Sequence, residues 1–260
     1  MNRLISQKIL MVTLSFILLN LLKANYALAQ TCHKDFLSAS IEHSEHLPPM
    51  PKQFRTGCIF KGESLKPQKD SLSLYWYKIP DWSAGTWSCD SETIVESNNP
   101  KAVLNKPLKL EYTYVNGMQK DKKNNIWMGF VPNLTSTVEG QNSTIYFTET
   151  SKKFLYSKSD QYVVKTIARS IEVNKENFIT QSHQSEAIDI ISKEGENQVK
   201  DSVSVTWFDS DGNVLYRDER FKISHRVEPF KPMDKFKDID LVDSFKNFLT
   251  DNGLSDLIPD

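Results

Sequence analysis

The chain is poor in the residues that punctuate or staple a fold: 260 residues hold 9 glycines, 11 prolines and 3 cysteines. So little Gly and Pro excludes collagen and low-complexity disordered protein, and so few cysteines exclude a disulfide-dense mini-domain. An excess charge is missing as well, with 32 Lys+Arg against 33 Asp+Glu. A dedicated nucleic-acid binder needs surplus cations to neutralise phosphates, so that class is set aside. Beyond residue 22 no apolar run approaches the roughly 20 residues that span a bilayer. There is no Gly-x-Ser-x-Gly elbow, phosphate-binding Gly loop, dinucleotide fingerprint or His-Glu-x-x-His pair. By motif, then, no catalytic residue, cofactor or metal site is assigned.

What is present begins with a targeting pattern. Arg3 and Lys8 precede an apolar run from Ile9 to Leu22, and Ala27-Leu28-Ala29 supplies small residues for a signal peptidase. Residues 1–29 therefore read as a signal peptide, and the expected product is exported to a periplasm, a thylakoid lumen or the extracellular space. Removing them takes Arg3, Lys8 and Lys23 and no acid, leaving 29 basic against 33 acidic side chains.

Residues 30–70 form an irregular extension carrying the stiff Pro48-Pro49-Met50-Pro51 stretch. An exported chain can oxidise its thiols, and Cys32 and Cys58 bracket this otherwise poorly anchored segment. Their pairing is the favoured disulfide, with Cys58–Cys89 as the rival. Within the extension, Glu42-His43-Ser44-Glu45-His46 is a conceivable metal patch. It lacks ligand spacing, so a solvated segment is the preferred reading.

From residue 71 to 230 the pattern is that of short strands. Leu108-Lys109-Leu110-Glu111-Tyr112-Thr113-Tyr114 alternates cleanly, and Asp211-Gly212 marks a tight hairpin. About nine to eleven strands in sequential hairpins predict an antiparallel meander that closes into a barrel or packs as two sheets. Asp209-Ser210-Asp211-Gly212-Asn213 superficially has the look of a calcium loop, but hairpin turn chemistry explains it without a ligand set. In residues 231–260, Phe236, Ile239, Val242, Phe245, Phe248 and Leu249 recur at helical spacing and predict a C-terminal amphipathic helix.

The most informative block is Ile79-Pro80-Asp81-Trp82-Ser83-Ala84-Gly85-Thr86-Trp87. Gly85-Thr86-Trp87 resembles the Gly-x-Trp opening of the first strand in lipocalins and related calycin barrels. The wider block is similar to a group of secreted cyanobacterial and plastid-lumen proteins carrying Pro-Asp-Trp-x-Ala-Gly-Thr-Trp. The resemblance implies a mainly β, calycin-like barrel in which Trp87 fills the closed end and Arg226 packs over it, with Gly85 permitting the close turn. If Trp87 points inward, Cys89 shares its face, which supports the Cys32–Cys58 pairing.

The resulting expectation is a non-enzymatic barrel with an apolar interior for a small hydrophobic ligand. Tyr112, Tyr114, Phe147, Tyr156 and His225 are the candidate lining residues. The alternative is a filled barrel that binds a protein partner on its surface; a secreted hydrolase is more remote. No nucleic acid and no stable membrane insertion of the mature chain are expected.

Overall fold

The computed structural model describes residues 42–65 and 74–259. Residues 1–29, expected from sequence to be a signal peptide, and Cys32 lie outside the described residues.

The main body is one antiparallel sheet of eight strands. In chain order these include β2 (Gly85–Ser97), β3 (Pro107–Asn116), β6 (Leu134–Glu139), β7 (Ser143–Ser157) and β8 (Gln161–Asn174). They are completed by β9 (Ile179–Lys193), β10 (Gln198–Phe208) and β11 (Val214–Glu228). The spatial order is β3-β2-β11-β10-β9-β8-β7-β6. Strands β6 to β11 are thus a plain meander, and the β2–β3 hairpin is added beyond β11.

The curled sheet is a half-barrel and not the closed barrel expected from sequence, because its edge strands β3 and β6 do not pair. The reason lies in the chain between those edges. It is diverted into a second sheet in which β1 (Tyr75–Ile79) and β4 (Gln119–Lys120) flank β5 (Ile126–Phe130). That sheet packs on the main one through Tyr77, Met128 and Ile79, which cluster with Phe154 and Phe230. Here the face carrying Trp87 and Phe154 is termed inner, and the opposite face outer.

The C-terminal helix is α1 (Leu241–Asp251). It starts later than the hydrophobic spacing predicts. Two short strands, β12 (Lys235–Phe236) and β13 (Ile239–Asp240), pair first, and the Asp240 side chain then caps the helix by accepting from the Asp243 amide at 3.0 Å. Leu241, Phe245 and Leu249 bury against Trp76 and Trp127 of the second sheet and against Met118, which immediately precedes β4. Each such side chain contributes roughly 1.5–3 kcal/mol on burial.

Residues 42–65 run as a strap over the outer face. Leu47 donates its amide to Gly212 O at 3.0 Å and Met50 to Ser210 O at 2.8 Å. Met50, Phe54, Phe60 and Leu65 then pack on Ile171, Val173 and Ile179. The prolines hold the strap extended, and the sheet supplies the partners that its own sequence lacks. No helix among the described residues is long and apolar enough to cross a membrane.

Candidate functional site

The Trp82–Trp87 segment is a hydrogen-bonded hub where β2 begins. Gly85 has φ +136°, and a Cβ there would lie 2.6 Å from Glu228 O, so only glycine fits. Trp87 is fully buried and donates its indole N–H to Ser83 O at 2.9 Å. Asn116 Nδ2 donates to the same carbonyl at 2.8 Å and to Tyr162 Oη at 3.0 Å. The Arg226 guanidinium lies 4.8 Å from the Trp87 ring centroid and donates to Trp82 O at 2.6 Å. Gly85, Trp87 and Arg226 therefore converge, as β2 pairs with β11 at the Trp87–Arg226 position.

Register decides which side chains share the inner face with Trp87. Tyr114 is opposite Trp87 and Tyr112 opposite Cys89, so both tyrosines line it. Phe147 faces the same way as Glu149, two positions along β7. Tyr156 does not. It lies nine positions from Phe147, and the register shifts at Glu149/Ser151 and Phe154/Tyr156 cancel, so it stays on the outer side, where Lys158 Nζ sits 5.7 Å from its ring. His225 is also misplaced by the sequence reading: it is exposed, on the outer face with Phe221, Ile223 and Val227. On β11 the inward residues are the polar ones, Arg220, Lys222, Ser224 and Arg226, so hydrophobic alternation points the wrong way.

The inner face is consequently charged as well as aromatic. Lys222 Nζ pairs with Asp201 Oδ2 at 2.9 Å and Lys152 Nζ with Glu149 Oε2 at 3.1 Å. Deeper along β11, Arg220 bridges Asp218 at 2.6 Å and Glu92 at 3.4 Å. Asp189 stands among these groups and makes no hydrogen bond or ion pair among the described residues, yet it retains partial exposure. Burial, and then the neighbouring Asp201 charge, push its carboxyl up to about 7. An aromatic wall rises beside it, with Tyr77 5.4 Å from Phe154 and Phe154 5.6 Å from Tyr162, all stacked. Burial raises the phenols of Tyr77 and Tyr162 above their ordinary values.

Cys89 is buried and free, and desolvation pushes its thiol up, which keeps it inert. Cys58 is also a free thiol, donating to Lys52 O at 3.2 Å; its expected partner Cys32 lies outside the described residues.

A second polar cluster lies under the strap on the outer face. His43 Nδ1 is 3.1 Å from Glu186 Oε1, and His43 Nε2 is 2.8 Å from Ser204 Oγ. These distances match a Ser–His–Glu triad, but the surroundings do not serve acyl transfer. Ser204 sits in mid-strand, paired on both sides, and donates its hydroxyl to Glu219 at 2.6 Å. A developing oxyanion would meet that carboxyl instead of a pair of free N–H donors. What the cluster does is fasten the strap. Ser44 donates its amide and hydroxyl to Glu186 at 2.8 and 2.7 Å, and Lys165 Nζ pairs with Glu186 at 3.0 Å. These partners outweigh burial and hold the Glu186 carboxyl down to about 2. The His-Glu segment is thus a clasp; among the described residues no three-ligand metal cluster occurs. No local signal betrays it, because its partners are more than 120 positions away.

A separate outer groove of about 360 Å³ is lined by Leu65, Val131, Leu134, Tyr146 and Ile239, with Lys237 at its rim. No family profile, curated protein or solved structure matches the chain.

Proposed function

We propose that the protein is an exported, non-enzymatic binding protein that holds a small amphipathic ligand on the inner face of its half-barrel. One observation carries this reading: Asp189 is an unpaired, partly accessible carboxyl enclosed by paired charges and stacked aromatics. Recessed surfaces with aromatic walls and a few convergent polar groups are what small-molecule sites use. A carboxyl displaced to about 7 also fits a functional recess better than a structural ion pair. The Trp87–Arg226 stack supports the calycin resemblance, in which the barrel interior is the binding place. The ligand implied is not purely apolar, since Glu149, Lys152, Asp189, Asp201 and Lys222 all face the recess.

The alternative, an assembly protein with a surface partner, draws on the outer edges of β3 and β6, each paired on one side only, which offer backbone groups to another chain. Native mass spectrometry of protein purified from its own host separates the two. A small mass lost on gentle activation supports the ligand reading. A bare monomer, or one that appears only with a stoichiometric protein partner, overturns it.

A further inference from the structure

Resting on the inner-face reading, the charge balance around Asp189 names the kind of ligand. The groups facing Asp189 come from every element packed around it. Glu149 and Lys152 lie on β7, Asp201 on β10 and Lys222 on β11, with Tyr77 on β1. Tyr112 and Tyr114 of β3 and Tyr162 of β8 complete the ring through their coupling to Asp201 and Lys222.

Both lysines are already engaged, Lys152 with Glu149 and Lys222 with Asp201. Asp189 is the odd acid, leaving the cluster one positive charge short when it ionises. One oxygen of Asp201, Oδ1, is enclosed and has no hydrogen-bond donor. The recess therefore holds an uncompensated carboxyl and an unsatisfied acceptor beside the stacked rings of Tyr77, Phe154 and Tyr162. A carboxylate ligand would add a fourth negative charge to two cations. A neutral one would leave Asp189 uncompensated.

We propose that the recess binds a small organic ammonium ion, whose charged nitrogen sits at Asp189 and Asp201 and whose apolar body lies on the Tyr77–Phe154–Tyr162 wall. Such a cation gains charge-assisted hydrogen bonds from the carboxylates, and its apolar body gains contact with the stacked rings. It also takes the place of the proton that Asp189 otherwise holds near neutrality, so binding releases a proton.

The test titrates the full-length mature protein with 2-phenylethylamine, 2-phenylethanol and phenylacetate by isothermal calorimetry, in buffers of different ionisation enthalpy. The amine is expected to bind with proton release and the other two at least tenfold more weakly. Its affinity is expected to rise by about tenfold per pH unit below about 7 and to level off above it. Asp189→Asn, checked for folding by its melting curve, is expected to lose at least tenfold in affinity together with the pH slope. Lys246→Ala, on the exposed side of α1, is the control and keeps both. Equal binding of amine and alcohol, preferred binding of phenylacetate, or an unchanged slope in Asp189→Asn overturns the ammonium assignment. So does silence from all three compounds. None of these results touches the wider ligand reading, which stands or falls on the small molecule that accompanies the host-purified protein.

Discussion

The Arg226 guanidinium lies over the Trp87 ring, 4.8 Å from its centroid, and its own hydrogen bond to Trp82 O holds it there. One residue therefore ties the last strand of the main sheet to both tryptophans of the Pro-Asp-Trp block.

Trp87→Ala is expected to lower stability by roughly 3–5 kcal/mol, the cost of deleting a fully buried large side chain. Arg226→Ala should cost about 0.5–2 kcal/mol, as a cation–π contact is lost rather than core volume. The double variant should lose less than the sum, because the shared contact disappears only once. Urea melts of the three variants decide it. Strict additivity would separate the two residues energetically.

Acid and base act on the fold through opposing groups. Asp189 keeps its proton up to about 7 in the folded protein, whereas an unfolded chain releases it near 4, so its contribution falls as pH rises between those values. His183, buried beside Trp207, has its pKa lowered to about 4 and works in the opposite direction over the same range. The wild-type profile should be shallow between pH 4 and 7. Asp189→Asn removes one limb, so the stability of wild type relative to the variant should decrease steadily across that window. Denaturant midpoints at closely spaced pH values would show it.

Below pH 4.5 the clasp dominates. Glu186 is ionised in the folded protein down to about 2, so its stabilisation is present above the ordinary Glu value and lost as pH falls toward 2. Glu186→Gln should free residues 42–50 before the sheet opens. Hydrogen exchange at the amides of Ser44, Leu47 and Met50 is the readout, with faster exchange there and unchanged protection in β8 and β9. Uniform acceleration throughout would mean the strap and sheet unfold together.

The thiols should differ sharply. Cys89, with no exposed surface, is expected to react with an aqueous thiol reagent only after denaturation, while Cys58, half-buried, reacts natively unless Cys32 protects it as a disulfide. Peptide mapping before and after reduction distinguishes these states. Native labelling of Cys89 would contradict its place behind Trp87 and Tyr112.

Much of this architecture is legible in the chain. Leu108–Tyr114, the Asp211-Gly212 hairpin and the helical spacing of Phe245, Phe248 and Leu249 all lie in the elements they predict. The candidate site was harder to read for two physical reasons. A bulge in β7 brings Lys152 and Phe154 to the face of Phe147, which alternation alone denies them, and a bulge leaves no mark in composition. On β11, charged residues face inward because they meet opposite charges from β2 and β10, so the rule that apolar residues mark the inside fails for His225 and its neighbours. Asp189 was invisible for the same reason: an acid between isoleucines resembles a surface residue until the other strands are in place.

The order of strands also sets an order of events. Trp87 and Arg226 are 139 positions apart in the chain (226 minus 87), whereas β8 and β9 are joined by a short turn. Closing the longer loop costs about 2 kcal/mol more chain entropy than closing a hairpin of ten residues, and none of it is repaid until β11 exists. The meander from β6 to β11 can therefore assemble first, and β2 with its Gly-Thr-Trp segment must wait for the last strand. A chain interrupted anywhere before Val214 leaves the β2–β3 hairpin without its place on the sheet, and the indole of Trp87 without the Arg226 cover of the finished fold. The segment most distinctive in the sequence is among the last to find its surroundings.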